Sequence, residues 1–400
     1  MSIKYFSPFS KQELLPREEK LEVARKSGKL QIGIPKETHF QEKRVCLTPD
    51  AVEVLVANDH EVLVQSNAGE GAHFTDTEYS EAGAKICYDA REVFAQSVVL
   101  KVEPPSEEEL QLLQPNAFLA SAVQPSTRNK AYFEHLAKKK ISAIGFEYLQ
   151  DQHGHLPLVR LISEIAGAAS ILIAAELLAT NHGGNGVMLG GIAGVRPAEV
   201  VILGGGTVGE CAARSAIGLG ASVRIFDNSL MRLRRLQNEI GYRVSTNTLD
   251  PKEIKKALRR CDIAIGAIRG SSRTPTVVTE EMVQSMKPGS VIVDVSIDRG
   301  GCFETSEITT HEHPTFIKHN VIHYGVTNIT SRYARTSSKA LSNFFLPYLL
   351  EVGHEGGFDC LISKDAGLRN GCYIFKGRHS NRELAEWFNL DFKDINLLIL

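Results

Sequence analysis

From residue 31 the sequence alternates between two textures. Short runs rich in β-branched residues are separated by segments of mixed polarity with helical spacing. QIGIPK, EVLVQSN, SVVLKVE, AFLASAV and SAIGFEY read as strands, and PDAVEVLVANDH, DTEYSEAGA, SEEELQLLQ and TRNKAYFEHLAKKK read as the helices between them. Parallel neighbours need a crossover long enough to return the chain to the same end, so this rhythm indicates a parallel sheet with crossover helices. A longer helical segment covers about residues 161–180. It is followed by NHGGNGVMLGGIAGVRP, whose six glycines between Gly183 and Gly194 mark loop or turn.

At Ala198 the alternation starts again. AEVVILGG, SVRIFD, DIAIGAI, VIVDVSI and NVIHYGV read as strands, YRVSTN is extended, and TVGECAARSAIGLG, SLMRLRRLQNEIG, DPKEIKKALRRC and TEEMVQSMKPG are helical. From SSKALSNFFLPYLLEV onward the chain reads as helical with a mixed tail and no sheet pattern, so it is expected to pack back on the first domain. Four hundred residues exceed what one core usually serves, since domains run to about 100–150 residues and seldom beyond 250. The expected division is 1–160 with 330–400 as one discontinuous domain and 161–329 as the other. Residues 1–28, with Leu14, Leu15, Leu21 and Val23 as apolar points, read as an added helix on the body or on a neighbouring subunit.

Composition narrows the class. With 43% hydrophobic and 23% charged residues the chain is of globular type, and 45 basic against 47 acidic residues leave no global excess to drive nucleic-acid binding. No segment reads as long enough to span a bilayer, because the longest apolar stretch, Ile165 to Ala175, is interrupted at Glu176. The N-terminus lacks the apolar core and small-residue site of a secretory signal. Seven scattered cysteines without a CxxC pair fit a reducing, cytoplasmic setting. His311, His313, His319 and His323 cluster in sequence but complete no recognised metal spacing, so no metal is expected.

The strongest local motif is Gly204-Gly205-Gly206-Thr207-Val208-Gly209. It follows the apolar run Val200–Leu203 and opens a helix, and a second strand ends in Asp227, 18 residues past Gly209. That is the dinucleotide-binding fingerprint in its proper context. Gly204 permits the tight turn, Gly206 a close approach to a pyrophosphate, and Gly209 close packing of helix on strand. The helix N-terminus at Thr207 and Val208 offers N–H groups to the anion. Asp227 suits a ribose 2′-hydroxyl and repels a 2′-phosphate, which favours NAD as cofactor over NADP.

With these residues in view, the chain resembles the alanine dehydrogenase family, which is related to the NAD-binding component of proton-translocating transhydrogenase. The resemblance covers about residues 30–395 and rests on IGIPKET with KRVCLTP, HEVLVQSNAGEGAHFTD, LKVEPP, SEIAG, ILGGGTVG and MKPGSVIVDVSIDRGGCFETS. It implies two doubly wound, Rossmann-like α/β domains with a cleft between them, NAD as cofactor, an amino acid or 2-oxo acid as small-molecule substrate, and a homo-oligomer, dimer or hexamer. By the same resemblance Arg44 matches the arginine that pairs with the substrate carboxylate, and Lys101 the lysine at the reacting oxo or amino centre. Ser163 and Asn328 match cofactor contacts, and Asp298 the catalytic aspartate near the nicotinamide. The chain departs from the pattern at Gln124, which stands where the family carries a histidine and cannot act as an acid or base at neutral pH. The stretch ITSRYAR at 329–335 departs as well.

The residue types suit these roles. Arg44 has the planar fork that holds a carboxylate bidentately; its plainer reading is a surface arginine paired with Glu42 or Glu37. Lys101 ends an apolar strand, where ligands of parallel sheets gather, and a partly desolvated lysine there can have a lowered pKa. Asp298 is expected just past the strand Val291–Ile297, while Asp294 reads as a buried acid bonded to backbone or to a neighbouring helix. The expected reaction is oxidative deamination of a small L-amino acid, L-alanine to pyruvate and ammonia. Two other readings stay open: a transhydrogenase subunit working with a membrane partner, and an NAD-binding protein without dehydrogenase activity.

Overall fold

The computed structural model describes residues 28–270 and 273–399. The extension expected over residues 1–28 lies outside them except for its last residue. Fifteen strands are present among the described residues. In chain order they are β1 (Gln31–Ile34), β2 (Glu61–Gln65), β3 (Lys85–Cys87), β4 (Val98–Leu100), β5 (Phe118–Ser121), β6 (Ser142–Gly145), β7 (Glu199–Leu203), β8 (Ser222–Phe226), β9 (Ser245–Asn247), β10 (Ile263–Gly266), β11 (Val291–Asp294), β12 (Thr315–Lys318), β13 (Val321–Tyr324), β14 (Cys372–Phe375) and β15 (Arg378–His379). They form two sheets, in two compact units. One comprises the residues up to Val159 and those from Ala334 onward; the other is Arg160–Tyr333.

The first unit holds an eight-stranded sheet in the order β15-β14-β6-β5-β4-β1-β2-β3. Strands β1 to β6 run parallel, with register partners such as Ile32 and Val98 between β1 and β4. The order reverses between β1 and β4, so the carboxyl ends of these two neighbours form a topological switch point, where doubly wound sheets bind ligands. The helix Ala334–Glu355 returns to this unit. Its Ser338 and Ser342 hydroxyls accept the Val45 and Thr48 backbone N–H groups at 3.0 and 3.1 Å and hold the chain that follows Arg44.

The second unit holds a seven-stranded sheet in the order β12-β13-β11-β10-β7-β8-β9. It is parallel except at β12, which runs antiparallel to β13. Its switch point lies between β7 and β10, and Gly204 is the first residue after β7. Both faces are packed. Val200, Ile202, Ile263 and Ile265 point into one core, and Val201, Leu203, Ala264 and Ile292 into the other. Burial on both faces is why these strands read as continuous apolar runs.

The structure corrects several expectations. The tail from residue 337 is not without strands: β14 pairs antiparallel with β6 and β15 with β14, extending the first sheet. CYIF is buried throughout and only four residues long, and such a run carries no periodicity that separates strand from helix. The edge strands β3 and β12, partly exposed and three and four residues long, are too short to show a period. The helix expected from 161 begins at Pro157 and runs to Leu177. By length and composition it is long and apolar enough to cross a membrane, contrary to the reading that no segment is. Here it packs in a protein core instead: Ala166, Ala169, Ile171, Ile173 and Ala174 are buried in the second unit.

Candidate functional site

At the switch point of the first unit, Glu37 follows β1 and Lys101 follows β4 directly, and both are nearly inaccessible. Lys101 Nζ lies 3.1 Å from Glu37 Oε2 and 3.2 Å from Glu109 Oε1. Glu37 also accepts the Val102 backbone N–H at 2.6 Å. Glu109 has a second task. With Ser106 it forms the capping box of the helix Glu107–Leu112, its Oε2 accepting the Ser106 N–H at 2.8 Å. Burial favours discharge of Lys101, but the charges of Glu37 and Glu109 outweigh it, and the ammonium is held above its ordinary pKa. The expected lowering is therefore corrected: Lys101 is a fixed cation, not a free amine. Glu37 moves upward because burial outweighs the attraction of Lys101.

Arg44 belongs to the same cluster and is buried, at 6% exposure, so it is not a surface arginine. Its Nε and Nη2 donate to Glu42 at 2.8 and 2.6 Å, and Nη2 also reaches Glu103 Oε1 at 3.3 Å. Burial works to discharge it, and Glu42, Glu103 and Glu37 overcome this and raise its pKa. Arg44 and Lys101 thus stand together, joined through Glu37, which faces Lys101 and accepts from the Glu103 backbone N–H at 3.4 Å. The sequence reading offers Glu37 and Glu42 only as partners of a surface Arg44 and misses Glu103 and Glu109. The available signal was local: Glu103 sits two residues past Lys101 at a strand end, and Glu109 closes an S-x-x-E box.

Gln124 occupies the turn after β5. Its side-chain amide donates to Glu103 Oε2. Its backbone is left-handed, with φ 47°, a conformation costly for a residue with a Cβ. Glu147 holds it there, accepting the Val123 and Gln124 backbone N–H groups, each at 3.0 Å.

In the second unit the loop Gly204–Gly209 joins β7 to the helix Thr207–Gly218. Gly204 has φ 112°, and a Cβ on it would lie 2.4 Å from the Ala267 carbonyl oxygen. On Gly209 a Cβ would lie 1.9 Å from the Gly204 carbonyl oxygen. At Gly206 it would meet nothing within 4 Å, so the loop is tight on its packed side and open on the other. The helix starts on Gly206 with no side-chain cap, which leaves the Thr207 end to serve an anion. Asp227, at the end of β8, is buried. Its Oδ2 accepts the Gly205 N–H and its Oδ1 the Ser229 N–H, both at 2.7 Å, and Arg232 approaches to 3.6 Å. An open glycine cradle, an uncapped helix start and a fixed carboxylate are the donor and acceptor set a dinucleotide requires, so the residues present fit NAD.

Ser163 lies on the helix Pro157–Leu177, one turn before Gly167, where a Cβ would lie 2.4 Å from the Val208 carbonyl oxygen. Asn328 follows β13, and its carbonyl oxygen meets His311 Nε2 at 2.8 Å. Asp298 is exposed and does not sit at a strand end. β11 stops at Asp294, and Asp298 lies on the 3-10 turn Ile297–Arg299. The cause is Asp294, whose Oδ1 captures the Ser296 N–H at 3.0 Å and draws the chain out of the sheet. The clustered histidines have separate partners: His319 meets Glu280 at 2.7 Å, and buried His323 meets Thr305 at 2.8 Å.

Comparison with known proteins follows the same two-part division. Residues 33–166 match the family model described as alanine dehydrogenase/PNT, N-terminal domain, and residues 170–382 match its C-terminal domain. The chain is 39% identical over 368 residues to alanine dehydrogenase 2 of Staphylococcus aureus strains USA300 and NCTC 8325, covering 92% of this chain and 98% of the relative. Among solved structures, an L-alanine dehydrogenase superposes with a TM-score of 0.85 at 37% identity, over 90% of this chain and 99% of that one. A transhydrogenase from Sinorhizobium meliloti shares the fold, with a TM-score of 0.75 at 23% identity, over 88% and 99% of the two chains.

Proposed function

We propose, from the premise that this chain belongs to the alanine dehydrogenase/PNT family, that it is an NAD-dependent amino-acid dehydrogenase acting on a small L-amino acid. The simplest substrate is L-alanine, oxidised to pyruvate and ammonia. The observation that carries this reading is the pair of buried cations, Arg44 and Lys101, at the switch point of the first unit. Arg44 would take the substrate carboxylate, and Lys101, kept charged by Glu37 and Glu109, would polarise the reacting nitrogen or oxygen. The second unit would hold NAD on Gly204, Gly206, Thr207, Val208, Gly209 and Asp227, with Ser163, Asp298 and Asn328 as further contacts. NAD, held there, would supply the acceptor for the hydride leaving the substrate Cα. Exposed Asp298 would serve proton transfer to and from water as the resulting imine is hydrolysed. A cytoplasmic homo-oligomer, dimer or hexamer, with no nucleic-acid partner and no membrane insertion, belongs to the same reading.

The test is one assay series: NAD reduction with a panel of L-amino acids, and NADH oxidation with 2-oxo acids and ammonia. Turnover confined to alanine and pyruvate supports the proposal, and turnover with a larger amino acid moves the substrate. A second reading, an NAD(H)-binding transhydrogenase subunit or a binding protein without this activity, is favoured by Gln124 in place of a titratable residue. It expects NADH binding with no turnover across the whole panel.

A further inference from the structure

We propose that the Glu42–Glu103 carboxylate pair, seated on Arg44 and fixed by Gln124, is the group that exchanges a proton with the substrate nitrogen. This rests on the reading of the chain as an amino-acid dehydrogenase and supplies what Gln124 cannot.

Both carboxylates converge on one guanidinium nitrogen: Arg44 Nη2 is 2.6 Å from Glu42 Oε2 and 3.3 Å from Glu103 Oε1. One positive charge therefore faces two carboxylates. The wider cluster adds Glu37 and Glu109 around Lys101, so the contacts described set four carboxylates against two cations. All are largely withdrawn from water, where uncompensated charge is costly, and the cluster relieves this by retaining a proton. Both Glu103 oxygens have a donor, the Gln124 amide at Oε2 and Arg44 Nη2 at a long 3.3 Å at Oε1, so the proton is placed on the more weakly held Oε1, toward Glu42. The turn is built for this contact: Gln124 pays for it with a left-handed backbone, and Glu147 clamps that backbone. Burial pushes the Glu103 carboxyl up, Arg44 opposes it, Glu42 by charge and hydrogen bond and Glu37 by charge reinforce it, and it reaches about 8.

In the oxidative direction the ammonium of the amino acid gives one N–H proton to the ionised pair. The N–H bond breaks as the O–H bond forms, and the amine keeps the electron pair that later makes the carbon–nitrogen double bond. The Cα–H pair leaves as hydride to NAD, and hydrolysis of the imine consumes one water. Overall, amino acid, NAD+ and water give 2-oxo acid, ammonium, NADH and one proton; the pair is where that proton first lodges. In the reductive direction the protonated pair returns it to nitrogen.

The test compares wild type with Glu103→Gln and Glu103→Asp. Wild-type kcat/KM for oxidation should rise with pH through about 8 and flatten above it. Glu103→Gln should lose that inflexion and fall by roughly 100-fold or more in kcat, while its NADH affinity and circular dichroism stay near wild type. Glu103→Asp should restore part of the rate and a pH inflexion. An inflexion unchanged in Glu103→Gln overturns the proposal. If wild type turns over no amino acid, the assigned function fails separately. The pair is then decided by carbon-13 NMR of glutamate-labelled protein. A carboxyl titrating far above the ordinary range in wild type and absent from Glu103→Gln supports the shared proton, and its absence from wild type overturns it.

Discussion

Asp294 and Cys302 are joined at both backbone and side chain. Asp294 Oδ2 accepts the Cys302 N–H at 2.9 Å, and Cys302 Sγ lies 3.8 Å from Oδ1. The same carboxylate takes the Ser306 hydroxyl at 2.7 Å, the Phe303 N–H at 3.4 Å and the Ser296 N–H at 3.0 Å. A single buried acid thus ties together both ends of the loop that carries Asp298.

Asp294→Ala should consequently cost about 2–4 kcal/mol, because several buried donors lose their acceptor together. Asp294→Asn keeps one carbonyl oxygen for the Cys302, Phe303 and Ser306 donors and turns its amide toward the Ser296 N–H, so its cost should be smaller, about 1–3 kcal/mol. Denaturant unfolding measures both. Hydrogen exchange should show faster opening at Cys302 and Phe303 in Asp294→Ala; protection equal to wild type would contradict the anchoring role.

The loop also shows where sequence reading stops. Gly204 and Gly209 are legible in the chain because the backbone leaves no room for a Cβ, a demand only glycine meets. The strands β7, β10 and β11 are legible because burial on both faces makes their cores, 200–203, 263–265 and 291–293, apolar, and β8 because Val223, Ile225 and Phe226 are buried around a half-buried Arg224. Asp298 was expected at a strand end, but the end of β11 depends on which N–H groups Asp294 captures, a matter of side-chain geometry. Arg44 emerges through family resemblance alone, and Lys101 through that resemblance together with its place at a strand end. Their acidic partners come from two stretches far apart in the chain, 37–42 after β1 and 103–109 after β4, and Glu109 already had a complete local explanation as a helix cap. Nothing in a linear pattern says that one carboxylate will do both.

Lys101→Met tests the cation that Glu37 and Glu109 share. Removing one partner of a buried ion pair leaves uncompensated charge and costs about 3–5 kcal/mol. The loss should shrink in the background of Glu109→Gln, giving a positive coupling in a double-mutant cycle of chemical unfolding. Additive losses would mean the 3.2 Å contact carries no net interaction. Separately, Lys101→Ala should abolish most turnover on the true substrate, and near-native turnover would remove lysine from the reaction.

Asp227→Asn keeps the size of the side chain and removes its charge. Its carboxylate is held by the Gly205 and Ser229 N–H groups, so an amide must turn its NH2 toward one of them. Loss of a charged hydrogen bond to a ribose hydroxyl costs about 1.5–3 kcal/mol, or roughly 10- to 150-fold in NADH affinity. NADPH should weaken far less, because the substitution also removes a repulsion. Fluorescence titration with the two cofactors gives the ratio, and an unchanged ratio would take Asp227 out of cofactor discrimination.

Stability should depend on Glu103 in a direction opposite to that of most carboxylates. Its carboxyl is pushed up to about 8 in the folded chain, first by burial and then by Glu42 and Glu37 against Arg44. An unfolded glutamate titrates near about 4.3. Between these values the folded state binds more protons than the unfolded one, so the contribution is full below the lower value and is lost as pH rises through the upper. The slope is at most about 1.4 kcal/mol per pH unit for one proton. Glu37 is raised too and feels the Glu103 charge, so the difference between wild type and Glu103→Gln reads the coupled cluster's loss of the Glu103 proton. Wild type should therefore lose ground to Glu103→Gln steadily as pH climbs across this window. Urea unfolding at several pH values reads that difference directly. A wild type that instead gains on the variant with rising pH would mean that Glu103 is held as a carboxylate by Arg44, and that the cluster keeps its proton elsewhere.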